Sequence, residues 1–271
     1  MFFRKLLIAI DDSAPSQYAI EVGLIIAQRD KCPVIFGLVL DPALLEQNFG
    51  FSSICEMAEK MAHDIIAGAL QRAKQAGIDA SSKVLFSDAT QGIIDLAKAQ
   101  NVGVIVMGTH GRSGIARAMT RSIAEEVLRR TKFPLCVIRR PPIGRIHERF
   151  LVPIVDDELG KLATHYAVDL ALSFDSTILF CTVSDRSPSH NTCEFLEKAR
   201  AYATNHGVQC DAVILEGNKP ACQAILDHAE TQNTDAIVMG SHARDGFMRF
   251  VKGSVTEAVI RTSLVPVVVV R

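Results

Sequence analysis

The chain has little of what would mark it for the commonest macromolecular surfaces. Its 29 basic and 30 acidic residues leave a formal net charge of −1, which excludes a basic footprint for nucleic acid or an anionic membrane as its main business. Aromatic residues make up 6% of the chain and show no base-stacking pattern. No apolar run is long enough to span a bilayer, and MFFRKLLIAID reaches Asp11 too soon for a signal peptide, so a cytoplasmic protein is expected. Seven cysteines, an odd number without a CxxC pair, fit reduced core thiols in segments such as PLCVI and LFCTV better than a disulfide frame. His190, Cys193, His206 and Cys210 lack the paired short spacings of a structural zinc site, and Gly207 interrupts the last pair.

What is present is a repeat. The stretch VMGTHGRSGIARAMTRS, residues 106–122, returns as VMGSHARDGFMRFVKGS, residues 238–254. An offset of 132 residues carries Gly108 onto Gly240, His110 onto His242, Asp95 onto Asp227 and Pro134 onto Pro266. LLIAID, 6–11, matches FLVPIV, 150–155, at an offset of 144, so the first copy holds about twelve extra residues within 41–63. Met57 and Met61 lie on one helical face of that segment and are expected to pack as core or as a dimer surface. Two repeats of domain length read as duplicated domains rather than a solenoid. The prolines and glycine of RRPPIGRIHER mark the boundary, giving a first domain over 1–140, a connector over 141–149 and a second domain over 150–271.

LLIAI, VIFGLVL, VGVIVM and PLCVI are short, nearly continuous and β-branched, as buried parallel strands are. Between them lie helical stretches, SAPSQYAIEVGLIIAQ opening on serine and proline and SSICEMAEKMAHDIIAGALQRAKQAG closing at Gly77. The second half repeats the alternation through STILFCTV, TCEFLEKARAYATNHG, CDAVIL, CQAILDHAE and DAIVMG. Each half is therefore expected to be an α/β domain with an open parallel sheet covered on both faces. In such sheets a ligand sits beyond the carboxyl ends of the strands, where the strand order reverses. Asp11 and Asp12 follow the first strand there, and the paired loops follow VGVIVM and DAIVM. A glycine after a strand permits positive φ and close approach of a ligand. SIAE, 122–125, and SVTE, 254–257, fit a capping box at a helix amino terminus that favours phosphate. A plain strand-to-helix connection with an ordinary cap explains the same residues. His110 and His242 recur inside the loops without an accompanying nucleophile, and backbone-bonded loop histidines are expected.

Gly108, two residues, Gly111, nine residues, then Arg121 and Ser122, set before a helix and a Pro-led terminal strand, resembles the glycine-rich loop of the universal stress protein family. Gly240, Ala243, Gly253 and Ser254 repeat it, and the resemblance covers both halves. It implies two tandem open parallel five-stranded sheets with helices on both faces, of the adenine nucleotide alpha hydrolase-like kind. It further implies a pseudo-twofold through the terminal strands PLCVIRR and PVVVVR, hence an intrachain pseudo-dimer, with a homodimer as a further level of association. The implied ligand is an adenine nucleotide, ATP with or without Mg2+, since many members of the family bind ATP and others with degraded loops do not.

Carried over residue by residue, the adenine-side aspartate of the family is Asp11, and Val155 holds that column in the second half. The site set this resemblance implies is Asp11, Val39, Met107, Gly108, Gly111, Arg121 and Ser122 in the first half. In the second it is Met239, Gly240, Ala243, Gly253 and Ser254, with no catalytic residue and no metal ligand in either. Arg121 stands where the family has glycine, and it either blocks the ligand or pairs with phosphate. Asp245 puts a carboxylate in the second loop, which repels a triphosphate unless a metal intervenes. The first half thus suits the base and the second the phosphates. Regulatory nucleotide binding in at least one half is the expected function, and an interaction module with decayed sites is the alternative. Slow ATP hydrolysis lacks a Walker lysine and an evident base.

Overall fold

A computed structural model describes residues 2–42, 54–109, 122–141, 147–184, 190–241 and 255–271. Two compact units divide the chain, Phe3–Ile138 and Arg139–Arg271. The first runs β1 (Leu6–Ile10), α1 (Ala14–Asp30), β2 (Val34–Leu40), α2 (Ile54–Gln75), β3 (Ala80–Phe86), α3 (Ala89–Ala99), β4 (Val104–Gly108), α4 (Ile123–Arg130) and β5 (Leu135–Ile138). The second runs β6 (Arg149–Pro153), α5 (Glu158–Phe174), β7 (Thr177–Ser184), α6 (His190–Asn205), β8 (Cys210–Glu216), α7 (Ala221–Thr231), β9 (Ala236–Gly240), α8 (Val255–Thr262) and β10 (Val267–Val270).

All strand pairs within each unit are parallel. The first sheet is ordered β3-β2-β1-β4-β5 and the second β8-β7-β6-β9-β10, so both reverse direction of growth beside their first strand. Leu6, Leu7 and Ile8 of β1 are fully buried, because a central strand of a parallel sheet is covered on both sides. Their neighbours show how. Gly23 of α1 lies against Ile8, whereas Gly37 of β2 lies against Leu7 and against Leu96 of α3. Successive strand residues point to opposite faces, so α1 and α3 cover opposite faces of the first sheet.

Helix ends follow the sequence chemistry. Ser13 caps α1 by accepting from the Ser16 N–H, Pro15 sits in the first turn, and Lys31 closes the helix in the left-handed conformation. After α2, Gly77 takes φ +69 and the Ile78 N–H returns to the Ala73 carbonyl at 2.9 Å, a glycine stop. Asp88 caps α3 through the Gln91 N–H at 2.8 Å. Replacing it, Asp88→Ala, is expected to lower stability by about 1 kcal/mol, nearly all of it from the cap. The exposed Arg130–Asp88 pair at 4.0 Å adds little. Chemical denaturation of the variant checks this.

Cys32, Cys136 and Cys181 are buried, while Cys193, Cys210 and Cys222 are half-buried. All six are free thiols. Burial pushes the Cys136 thiol up to about 12, and burial reinforced by the Asp30 carboxylate does the same for Cys32. Native protein at pH 8 is therefore expected to leave Cys32, Cys136 and Cys181 unmodified by iodoacetamide, with all three labelled after unfolding. Peptide mass spectrometry reads the result directly. Met61 is half-buried on α2, and the Met57 side chain lies outside the described residues.

Candidate functional site

The carboxyl ends of β1 and β4 bound the crevice of the first unit. Leu6 to Ala9 pair with Val104 to Met107, so Asp11 leaves β1 one residue past the level of Gly108, the last residue of β4. This is the point at which the strand order reverses, where open α/β sheets leave room for a ligand. Asp11 is exposed there. Its Oδ1 accepts from the Ser13 N–H at 2.9 Å and from the Ser13 hydroxyl at 2.5 Å, and its own N–H donates to Ser16 Oγ at 2.9 Å. The sequence signal for this network was the run DDSAPS. It reads as a helix start, and says nothing of a carboxylate tied into that start.

Val39 lies on β2, half-buried, and packs against Gly92 of α3. Met107 and Met239 are 5% and 4% exposed, so both belong to the core. Neither Gly108 nor Gly240 adopts positive φ. A Cβ on Gly108 would fall 2.5 Å from the main chain of Pro15, and one on Gly240 would fall 3.0 Å from Leu159. The glycines at the strand ends are accounted for by the close approach of the first helix of the same unit, α1 or α5, rather than by left-handed backbone. Ser122 sits at the amino terminus of α4, where its Oγ accepts from the Glu125 N–H at 3.2 Å. It also accepts from the Thr109 hydroxyl at 3.4 Å, which brings the end of β4 and the start of α4 together. Gly111, Arg121, Ala243, Gly253 and Ser254 lie outside the described residues, as do His110, His242 and Asp245.

The second crevice has different chemistry at its base end. Val155 takes the place of Asp11 and is 57% exposed. Asp157 caps α5 through the Gly160 N–H at 2.7 Å, and its own N–H goes to the Val155 carbonyl at 2.8 Å. Lys161, in the first turn of α5, bonds Glu158 at 2.6 Å, which holds its ammonium above the ordinary value. At the far end, the Thr256 hydroxyl of α8 donates to the Gly240 carbonyl at 3.2 Å. Beyond β8, Lys219 bonds Asp227 at 2.6 Å and holds that carboxyl below its usual range.

The model of the universal stress protein family matches residues 2–139 and again residues 147–271. The chain belongs to the universal stress protein family, in two tandem copies. Among members of the family, a universal stress protein of Mycobacterium bovis is 25% identical over 241 residues, covering 79% of this chain and 78% of its own. Another, from Mycolicibacterium smegmatis, is 22% identical over 285 residues, covering 98% and 96%. The crystal structure of a universal stress protein from Archaeoglobus fulgidus shares the fold with a TM-score of 0.83 at 22% identity, over 98% of this chain and 96% of that one. The tandem α/β fold expected from the repeat is thus the family's. Among the described residues, no helix is long and apolar enough to cross a membrane.

Proposed function

We propose that this is a cytoplasmic stress-response protein that binds an adenine nucleotide, ATP with Mg2+, as a regulatory ligand in the crevice of its first unit. The observation that carries this reading is the exposed, pre-bonded Asp11 carboxylate at the reversal point of the first sheet, beside the end of β4. A carboxylate there accepts from donors on the adenine side of the nucleotide. The amino terminus of α4, drawn to the strand end by the Thr109–Ser122 bond, favours the phosphates. Mg2+ on the triphosphate offsets repulsion from Asp11 and from Glu126 of the first helical turn.

The second unit is read as a site that has lost base recognition. Its Val155 offers an alkyl group where the first unit offers an acceptor, and a buried donor on the ligand would go unpaired against it. Isothermal titration with ATP and Mg2+ tests both statements. One site per chain supports them, two equivalent sites contradict the asymmetry, and no heat at millimolar nucleotide removes the ligand and leaves the alternative, a stress-response interaction module.

A further inference from the structure

Asp11 is held by a hydroxyl that the second unit has replaced. Both bonds from Ser13, one from its N–H and one from its hydroxyl, fall on Oδ1 of Asp11. Among the described residues no hydrogen bond falls on Oδ2. The same Ser13 oxygen accepts from the Ser16 N–H at 3.3 Å, which is the cap of α1. Ser16 is 3% exposed, and its Oγ accepts in turn from the Asp11 N–H at 2.9 Å. The three residues therefore close a ring of bonds between strand end and helix start.

Every member of that ring differs in the second unit. Val155, Asp157 and Gly160 stand at the columns of Asp11, Ser13 and Ser16. Asp157 still caps its helix, but as a carboxylate it has no proton to give a neighbour. The turn is instead closed through the main-chain oxygen of Val155. Capping alone is thus met by either residue type, whereas donation to a carboxylate two residues earlier requires the hydroxyl.

We infer that Ser13 is a positioning residue for nucleotide recognition in the first unit. Its hydroxyl fixes Oδ1 of Asp11 and leaves Oδ2 as the acceptor for the adenine side of the ligand. An exposed aspartate otherwise turns freely about two side-chain bonds, and binding would have to order it. A charge-assisted O–H···O− bond made before the ligand arrives removes that cost. This inference rests on the nucleotide reading given above.

The test is calorimetric titration of the full chain and of Ser13→Asp, Ser13→Gly and Ser13→Thr, each with ATP and with inosine triphosphate, whose base carries no exocyclic amino group. Glycine is a serviceable cap, so Ser13→Gly is expected to melt close to wild type. Ser13→Asp copies the cap found at Asp157 but sets a second carboxylate against Asp11, where the second unit has Val155, and serves as the comparison for added charge. Both lose the hydroxyl, and ATP should bind about tenfold more weakly to each. Ser13→Thr keeps the hydroxyl and should bind ATP within about twofold of wild type. The preference for ATP over inosine triphosphate should shrink in Ser13→Asp and Ser13→Gly, which a purely structural role would not cause. Equal ATP affinity in wild type and Ser13→Gly overturns the inference alone, as does a loss shared equally by both nucleotides. A wild-type chain that binds no ATP overturns the nucleotide reading and the inference together.

Discussion

Asp11→Ala is expected to weaken ATP binding by about tenfold to a hundredfold, while Val155→Ala leaves it unchanged. The magnitude is that of a hydrogen bond to a charged group, about 1.5 to 3 kcal/mol. The carboxylate is exposed at the crevice and its orientation is set in advance by Ser13. Removing it leaves the ligand's donor without a protein acceptor, and removes the group that the Ser13 N–H and hydroxyl bond. The α1 cap itself is kept, since Ser13 Oγ still accepts from the Ser16 N–H, so the fold should survive and the loss should appear in affinity. Val155 has no such acceptor to lose. Gly253→Arg, which copies the first loop's Arg121 into the second, should also be silent if the nucleotide sits in the first unit. Titration of these three variants beside wild type decides the location: a response to Gly253→Arg with none to Asp11→Ala would move the ligand to the second unit.

Gly160→Ala should destabilise the second unit by about 3 kcal/mol, lowering its Tm by roughly 10 °C. A Cβ on Gly160 would fall inside the envelope of the Val155 carbonyl oxygen and press on the ring of Phe195. The carbonyl cannot simply move, because it accepts from the Asp157 N–H and thereby closes the turn into α5. Relief requires that turn to open at the start of a helix whose inner face carries Ala163, Ala167 and Val168, all fully buried. The first unit supplies the control. Serine already stands at the equivalent position, Ser16, so Ser16→Ala adds no atoms there and costs about 1 kcal/mol for the bond from the Asp11 N–H. Thermal unfolding followed by circular dichroism compares the two, and an unchanged Tm for Gly160→Ala would mean the Val155 turn is loosely held.

Duplication, the central strands and the long helices were legible in the sequence for a common reason. A buried parallel strand is apolar on both faces and shows as a short unbroken run, as in LLIAI and VIFGLVL. Strand β3, ASSKVLF, left no such signal. It lies at the edge of its sheet, every residue of it is half-buried or exposed, and Phe86 is 63% exposed, so nothing forces an apolar run. Helix α3 was hidden in the first half although its repeat CQAILDHAE was readable, because ATQGIIDLAKA begins on small residues and owes its start to Asp88.

At the candidate site the sequence located Asp11, Gly108 and Ser122 by their places after strands and before a helix. Their reasons came from packing. Gly108 looked like a residue spared for a ligand, yet its bare side is filled by Pro15, which lies far away along the chain. Ser13 looked like a cap alone, and Ser16 like any polar residue of a first turn.

The sequence by itself determined that this protein is a doubled α/β chain of the universal stress protein family, with an acid after its first strand and none at the matching place of the second copy. Such facts reside in local pattern and repeat spacing, which survive without a third dimension. Only the tertiary structure decided that Asp11 and the end of β4 flank one reversal point, that the glycines answer to helix packing, and that Asp11, Ser13 and Ser16 form a ring that Val155, Asp157 and Gly160 do not. Those depend on the register of β1 against β4 and on where a turn directs its donors, and neither follows from residue type alone.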